Sequence, residues 1–297
     1  MGNSQTYQSL HGPLWPLLVR AGLTLLRPRR EFAGATRQFQ HELPAPLPDA
    51  IQAYQQFFTF ATATVPLCFY YPLLQRAQLA SMLQCAGLRV AGLIHTDNQL
   101  EALTLQTPAL LSNNGPLQID TELHTETHDK GLYLVATQQL WQQQVLILRA
   151  SSRYLLQKAA RQKAARPKTA RTAGHDGASA EPSTMLAQIQ VSSDAARRYA
   201  RLSGDYNPIH LWRWSARLFG QPRPILHGMA SAALLCQALP APVQQLRLQF
   251  KTPVWPGIPL QLTQQSADEY ALWQQDRLCL LAQLHDGRVD AGPPDVA

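Results

Sequence analysis

Residues 201–229 of the 297-residue chain carry the side chains best suited to chemistry. Asp205 and His210 lie five residues apart around an Asn207-Pro208 pair, and His227-Gly228-Met229 opens a segment of small residues. An acid, a histidine and a backbone N–H at a helix start are the groups that proton transfer next to a carbonyl requires. We therefore predict that this stretch is the functional centre.

Each of these residues also has an ordinary structural explanation. Asp205 to Pro208 alone would form an Asx-type turn, and a single histidine such as His210 before a helix is often a cap or a surface residue. His227 is interpreted as a buried residue that holds the loop by hydrogen bonds, not as a catalytic group. Taken together at this spacing, Asp205, His210 and Gly228 favour catalysis.

The two motifs of this stretch are SGDYNPIH at 203–210 and PILHGM at 224–229. They resemble the hydratase-2 signature of the MaoC-like (R)-specific enoyl-thioester hydratases and 3-hydroxyacyl-thioester dehydratases. The resemblance implies a hydro-lyase of fatty-acid metabolism that interconverts trans-2-enoyl and (3R)-3-hydroxyacyl thioesters. It also implies that no metal or redox cofactor is needed, and that the substrate is an acyl-CoA or acyl carrier protein thioester.

The resemblance also assigns roles to individual residues. Asp205 and His210 would share the catalytic water, and the motif does not decide which of them is base and which is acid. Gly228 would offer its backbone N–H to the thioester oxygen, where a glycine permits close approach and the helix dipole favours negative charge. Asn207 would orient the loop or the water, and Pro208 would set the shape of the loop.

One residue departs from the family pattern. Some members carry a serine eight residues after the HGM glycine, where it helps to fix the catalytic carboxylate, and here that position is Cys236. A thiol is a poor hydrogen-bond partner, so Ser231 or backbone groups are expected to organise the water. Two rival functions stay open: a hot-dog acyl-thioesterase, and a non-catalytic acyl-thioester-binding module, for which Cys236 is the argument.

The fold class implied by the resemblance is α+β, a double hot-dog with two antiparallel sheets that each wrap around a central helix. The N-terminal repeat would be degenerate, with looser structure in place of its long helix, and residues 65–82 would line a pocket for the acyl chain. The predicted units are an N-terminal helical extension (1–35), the degenerate repeat (36–156), a basic flexible linker (157–182) and the catalytic repeat (183–297).

Hydrophobic periodicity and turn residues place the secondary structure along the chain. A strand RQFQHEL begins near Arg37, and a turn at Asp129-Lys130-Gly131 separates two later strands. Ser192 or Ser193 is expected to cap a helix at 194–200. Predicted helices also cover 50–58, 72–84, 211–219 and a segment from Gly228, and predicted strands cover 100–105, 117–123, 132–136, 145–148, 185–191, 246–251, 260–263, 270–273 and 278–284.

The net charge of +7 comes from one segment. Seven of the 26 basic residues lie between Arg153 and Arg171 with no acid among them, and the other 19 equal the 19 acidic residues. That pattern indicates a solvated spacer rather than a nucleic-acid-binding face, which would carry its charge on a structured surface. The seven residues are Arg153, Lys158, Arg161, Lys163, Arg166, Lys168 and Arg171.

The remaining features constrain the membrane association, the redox environment and the partners of the protein. The apolar run at 13–26 is too short to span a bilayer and is expected to form a helix packed on the folded body, with an interfacial helix as the alternative. Four dispersed cysteines without C-x-x-C spacing indicate a reducing, cytoplasmic location. We expect no nucleic-acid partner and no integral membrane segment, and either a monomeric pseudo-dimer or a homodimer.

His124, Glu126 and His128 form the only other cluster considered for chemistry. Residues two apart on a strand share a face, and two histidines with a carboxylate can ligate zinc or iron. The segment is uniformly polar and leads into a turn. A solvated outer strand is therefore the preferred interpretation, and no metal site is predicted.

Overall fold

The structure is a computed structural model. It describes residues 7–10, 12–26, 36–61, 63–128, 130–158, 184–239 and 242–285. Most of the predicted linker and the tail after Asp286 lie outside these residues. Among the described helices, none is long and apolar enough to cross a membrane.

The N-terminal apolar run forms a helix that packs on the body of the protein. Leu14 and Ala21 are buried on its inner side. The Thr24 hydroxyl accepts a hydrogen bond from the Val90 backbone N–H at 2.9 Å, which ties the end of the helix to the first repeat. The expectation of a packed helix is confirmed. Arg27, which begins the basic cluster after it, lies outside the described residues.

The first repeat consists of antiparallel strands with one long helix across them. The expectation that this repeat lacks its long helix is wrong, because α3 has 15 residues. Its buried residues contact both the sheet and the second repeat, so the hydrophobic effect favours a regular helix here. In chain order the elements up to this point are β1 (Gln8–Ser9), α1 (Trp15–Leu23), β2 (Arg37–Leu43), α2 (Pro48–Phe57), α3 (Tyr70–Gln84), β3 (Ile94–Ala102), α4 (Pro108–Asn113), β4 (Leu117–His128), β5 (Gly131–Gln142) and β6 (Val145–Lys158).

Two details of this repeat differ from the sequence analysis. The strand expected at 100–105 is centred earlier, because Asn98 and Leu100 face the interior while Leu103 and Leu105 are exposed. Because the first half of β3 is polar, hydrophobic periodicity does not identify it as a strand. The predicted hairpin is confirmed, since His128 pairs with Gly131 across it, although Asp129 itself lies outside the described residues.

The second repeat places its predicted strands and helices close to the expected positions. Its central helix, α7, buries Ala230, Ser231, Ala232 and Ala233, so the sheet can approach closely, as expected. The cap prediction for the first helix is wrong: Asp194 is the N-cap residue and makes no side-chain capping bond. The elements are β7 (Thr184–Ile189), α5 (Ala195–Ser203), α6 (Arg213–Leu218), α7 (Gly228–Gln237), β8 (Gln245–Phe250), β9 (Leu260–Gln264), β10 (Glu269–Gln274) and β11 (Arg277–His285).

The two repeats share one sheet. Strand β3 of the first repeat pairs antiparallel with β8 of the second, with Asp97 opposite Gln249 and Leu100 opposite Leu246. The result is a mixed sheet of 11 described strands in the order β1-β2-β4-β5-β6-β3-β8-β11-β10-β9-β7. The principal core lies between this sheet and the helices of both repeats.

Candidate active site

A tight loop after α5 presents Asp205 to the interior. Helix α5 ends at Gly204, whose φ of 75° lies in the left-handed region that glycine adopts without strain. The Asp205 carboxylate accepts a hydrogen bond from the Asn207 backbone N–H at 3.1 Å. The Asn207 side chain in turn accepts one from Ile209 N–H at 3.3 Å and begins a short 3-10 helix over Pro208–His210. Asn207 is exposed, so it shapes the loop and does not line the interior.

Hydrogen bonds to backbone carbonyls set the tautomers of both histidines. Nδ1 of His210 lies 2.8 Å from the Ile225 carbonyl oxygen, and Nε2 of His227 lies 3.0 Å from the Asp205 carbonyl oxygen. A carbonyl only accepts, so these nitrogens carry the protons and the opposite nitrogens have free lone pairs. Buried His227 thereby ties the Asp205 loop to the start of α7, which is the loop-holding geometry expected from the sequence.

The structure brings the three polar side chains of the motif together. One potential ligand atom each from Asp205, His210 and His227 lies within 4.8 Å of the other two. Two groups that both hydrogen-bond one water are separated by up to about 5 Å, so this spacing is compatible with a water shared by Asp205 and His210. A single metal ion does not fit the same set. The two imidazole rings stack at 3.6 Å with 22° between their planes, so their lone pairs lie in two nearly parallel planes and cannot both be directed at one ion.

Burial and local hydrogen bonds set the charges of the site. Burial lowers the pKa of His227 to about 3 and also lowers the pKa of His210, so both rings are neutral at pH 7. Burial on its own would raise the pKa of Asp205, but the positive charge of His227 and His210 in their protonated forms, together with the hydrogen bonds from Gln75 and Asn207, lowers it overall. The carboxylate is therefore ionised beside two neutral imidazoles.

The first turn of α7 offers backbone N–H groups to the same region. His227 is the N-cap residue, and among the described residues none accepts a hydrogen bond from Gly228 N–H. A Cβ at Gly228 would lie 2.8 Å from the ring of Phe250, closer than real Cβ contacts, so a larger residue would force the ring or the helix start to shift. The site thus has an unpaired donor at the positive end of a ten-residue helix.

Neither Cys236, at the position of the family serine, nor Ser231, the side chain expected to organise the water in its place, has a hydrogen bond to Asp205 among the described contacts. The Cys236 thiol is buried with its sulfur 4.0 Å from that of Cys68 on the first repeat. The Ser231 hydroxyl bonds to the His227 carbonyl oxygen at 3.4 Å. The expected backbone contribution is present, through Asn207 N–H.

The first repeat contributes a residue that sequence reasoning missed. Gln75 of α3 donates its side-chain amide to Oδ2 of Asp205 at 2.8 Å. Tyr71, one turn earlier on the same helix, is buried and near enough that the Asp205 charge contributes to its raised pKa, after burial and the contact with Tyr154. No motif marks Gln75, because the contact joins residues 130 positions apart in sequence.

A cavity lined by residues of both repeats lies away from these groups. It has a volume of about 260 Å³ and is lined by Val65, Leu67 and Tyr70 of the region predicted for an acyl pocket, together with Ala102 and Cys236. Cys236 lies eight residues after Gly228 on α7, a distance of about 12 Å along a helix. This cavity is therefore separate from the water position.

The polar cluster on β4 lies on the outer face. Glu126 contacts both His124 and His128, at 3.3 and 3.2 Å, and receives a hydrogen bond from Arg153 at 2.9 Å. A guanidinium occupies the side of the carboxylate where a cation would bind. This arrangement fits the preferred interpretation of a solvated surface strand.

The part of the chain that carries the motif matches a known family model. The family model described as "MaoC like domain" matches residues 178–276. A peroxisomal enoyl-CoA hydratase 2 of Arabidopsis thaliana is 42% identical over 65 residues, which is 19% of this chain and 21% of that protein. The matches to curated relatives cover between 8% and 23% of those proteins, well under two thirds of their length.

Solved structures extend the likeness to the whole fold. HtdX of Mycobacterium tuberculosis superimposes with a TM-score of 0.63 at 20% identity, over 84% of this chain and 99% of that one. A second Mycobacterium tuberculosis protein, described as having a double hot-dog fold, gives a TM-score of 0.54 at 14% identity over 88% and 98% of the chains. The chain therefore has the double hot-dog fold, and its residues 178–276 match the model of the MaoC-like domain.

Proposed function

We propose that this protein catalyses the reversible hydration of trans-2-enoyl thioesters to (3R)-3-hydroxyacyl thioesters. The observation that carries the proposal is the approach of an ionised Asp205 and a neutral His210 to within 4.8 Å, beside the free N–H groups that open α7. The match of residues 178–276 to the MaoC-like family supports it, as do the relatives named hydratases and dehydratases.

In the proposed hydration, one water lies between the Asp205 carboxylate and Nε2 of His210. The water oxygen forms a bond to C3 as one of its protons passes to His210. The other proton stays on that oxygen and donates a hydrogen bond to the Asp205 carboxylate. We assign the base to His210 because its Nδ1 donates to the Ile225 carbonyl, which leaves the lone pair of Nε2 free to take a proton. The proton is then delivered to C2 from the same face, so the pair returns to its starting state.

The negative charge that develops on the thioester oxygen needs a donor fixed in place before the reaction. Gly228 N–H meets this need because it is unpaired and lies at the positive end of α7. Removal of a single oxyanion donor, measured for a side-chain amide in another enzyme, costs of the order of 3 kcal/mol. Asn207, Pro208 and His227 shape and hold the loop without touching the substrate.

The substrate handle and the setting are further parts of the proposal. Coenzyme A and acyl carrier protein both carry the thioester on a phosphopantetheine arm, so either fits the proposed chemistry. The acyl tail would run along α7 toward the 260 Å³ cavity, since residues of both repeats line it. A cytoplasmic location stays a prediction from the cysteine pattern, and so does the choice between monomer and homodimer.

The experiment is an assay of the purified protein with crotonyl-CoA, followed by loss of enoyl absorbance and, in parallel, by release of free thiol. Hydration predicts loss of absorbance without thiol release. Thiol release would indicate a thioesterase. Binding of enoyl-CoA esters with neither signal, for short and long chains alike, would indicate a non-catalytic binding module and contradict the proposal.

A further inference from the structure

We propose that Gln75, on the central helix of the first repeat, is a positioning residue for the carboxylate of Asp205, so that the repeat without the motif completes the active site. This inference rests on the proposed hydratase function. It assigns a role in catalysis to a repeat whose sequence carries no catalytic motif.

The hydrogen bonds of Asp205 carry the inference. Oδ1 accepts from Asn207 N–H at 3.1 Å within the loop, and Oδ2 accepts from the Gln75 amide at 2.8 Å across the repeat boundary. A carboxylate held at one oxygen can still rotate about its terminal bond, whereas one held at both cannot. Each oxygen keeps a second lone pair, so the fixed carboxylate still has a site for water.

The neighbours of Gln75 give the helix a polar stripe that faces the site. Tyr71, Gln75 and Gln78 lie at positions i, i+4 and i+7 of α3 and so share one face. Tyr71 and Gln78 are 6% and 2% exposed, and the Tyr154 hydroxyl donates to Gln78 at 2.7 Å. An unpaired polar group inside an otherwise apolar interface is costly, and in this stripe Nε2 of Gln78 is buried without a hydrogen-bond partner among the described residues. Gln75 finds its partner in the catalytic carboxylate.

The alternatives for this role are absent from the described site. The Cys236 thiol lies against Cys68, and the Ser231 hydroxyl bonds to a backbone carbonyl. Because both imidazoles are neutral at pH 7, the two hydrogen bonds are the contacts that stabilise the ionised carboxylate at that pH. A neutral amide does this without adding a positive charge that would weaken the carboxylate as a partner for water.

The test uses the full chain and steady-state hydration of crotonyl-CoA over a range of pH. Gln75→Met keeps the length of the side chain and removes the donor, and Gln75→Glu replaces the donor with an acceptor. The matched control is Gln84→Met at the exposed end of α3. We expect kcat to fall about tenfold or more in Gln75→Met, with KM nearly unchanged, because a loosened catalytic group costs up to about a hundredfold. Gln75→Glu should lose more.

The pH profile separates positioning from a merely structural contact. Loss of a donor to the charged carboxylate raises its pKa, so the acid limb of the profile should move to higher pH in Gln75→Met and stay in place in Gln84→Met. A wild-type kcat and pH profile in a folded Gln75→Met variant would overturn the role while leaving the hydratase function intact. A lower melting temperature with unchanged kcat would also overturn it. If the wild-type protein hydrates no enoyl thioester of any length, the proposed function fails first and this role with it.

Discussion

The imidazole rings of His210 and His227 stack with their centroids 3.6 Å apart and 22° between their planes. Each ring donates to a different backbone carbonyl, so each has one fixed tautomer. Two protonated imidazoles at this distance would repel strongly, which opposes double protonation. The pair therefore contains one buried ring that holds the loop and one more accessible ring that can exchange a proton.

Loss of either water-binding group should nearly abolish hydration. Asp205→Asn removes the negative charge and His210→Ala removes the acceptor, and we expect each change to lower kcat for crotonyl-CoA by about a hundredfold or more. Circular dichroism should confirm that both variants are folded. A folded variant with wild-type turnover would exclude that residue from the chemistry. Exposed Tyr206→Phe, in the same loop, is the matched control and should leave kcat unchanged.

Gly228→Ala should impair catalysis through a steric clash. The new Cβ would lie 2.8 Å from the Phe250 ring, so the ring or the start of α7 must shift. A displacement of about 1 Å at an oxyanion donor can cost a hundredfold in rate. We expect kcat to fall by about ten- to a hundredfold.

The control for this change is the double variant Gly228→Ala with Phe250→Leu, in which the clash is relieved. The double variant should recover part of the lost kcat. If Phe250→Leu alone is active and the double variant recovers nothing, displacement of the helix start is not the cause.

The sequence predicts the architecture well where periodicity and glycine or proline positions are clear. Strand β2, the β4–β5 hairpin and the helix from Gly228 lie where the pattern places them. The sequence-based prediction fails at β3. This strand pairs with β8 of the second repeat through a polar segment, and a polar strand in the centre of a sheet has no apolar signature. The residue pattern predicts a helix at 72–84, whereas the family resemblance implies looser structure there. The structure has the helix α3 at this position.

The sequence also predicts one part of the candidate active site and not the other. Asp205, His210, His227 and Gly228 are close in sequence, so a motif can indicate that they meet in space. Gln75 has no such mark, because its approach to Asp205 depends on how one repeat packs against the other. Contacts between distant segments are set by tertiary packing, which a single sequence does not encode in its local spacing.

Filling the cavity should reduce activity on thioesters with long acyl chains. Ala102 lines the 260 Å³ cavity from the end of β3. Ala102→Phe would occupy part of this space, so kcat/KM for a dodecenoyl thioester should fall about tenfold while that for crotonyl-CoA stays near wild type. The matched control is Ala102→Ser, which adds little volume. An equal loss for both substrates would contradict the placement of the acyl tail there.

Buried histidines away from the reacting groups should make the protein less stable in mild acid. The ring of His95 stacks with those of Tyr71 and Tyr154, and burial lowers its pKa from 6.5 to about 4. Between these pH values the unfolded chain binds a proton that the folded chain does not, so the free energy of unfolding falls as the pH drops from 6.5 toward 4. The contribution of His95 is at most about 3 kcal/mol. His95→Phe keeps the stack and removes the titration, so its urea midpoint should decline less over this range than that of the wild type, with pH 7 as the common reference. Parallel declines in the two proteins would show that His95 is not buried in its neutral form.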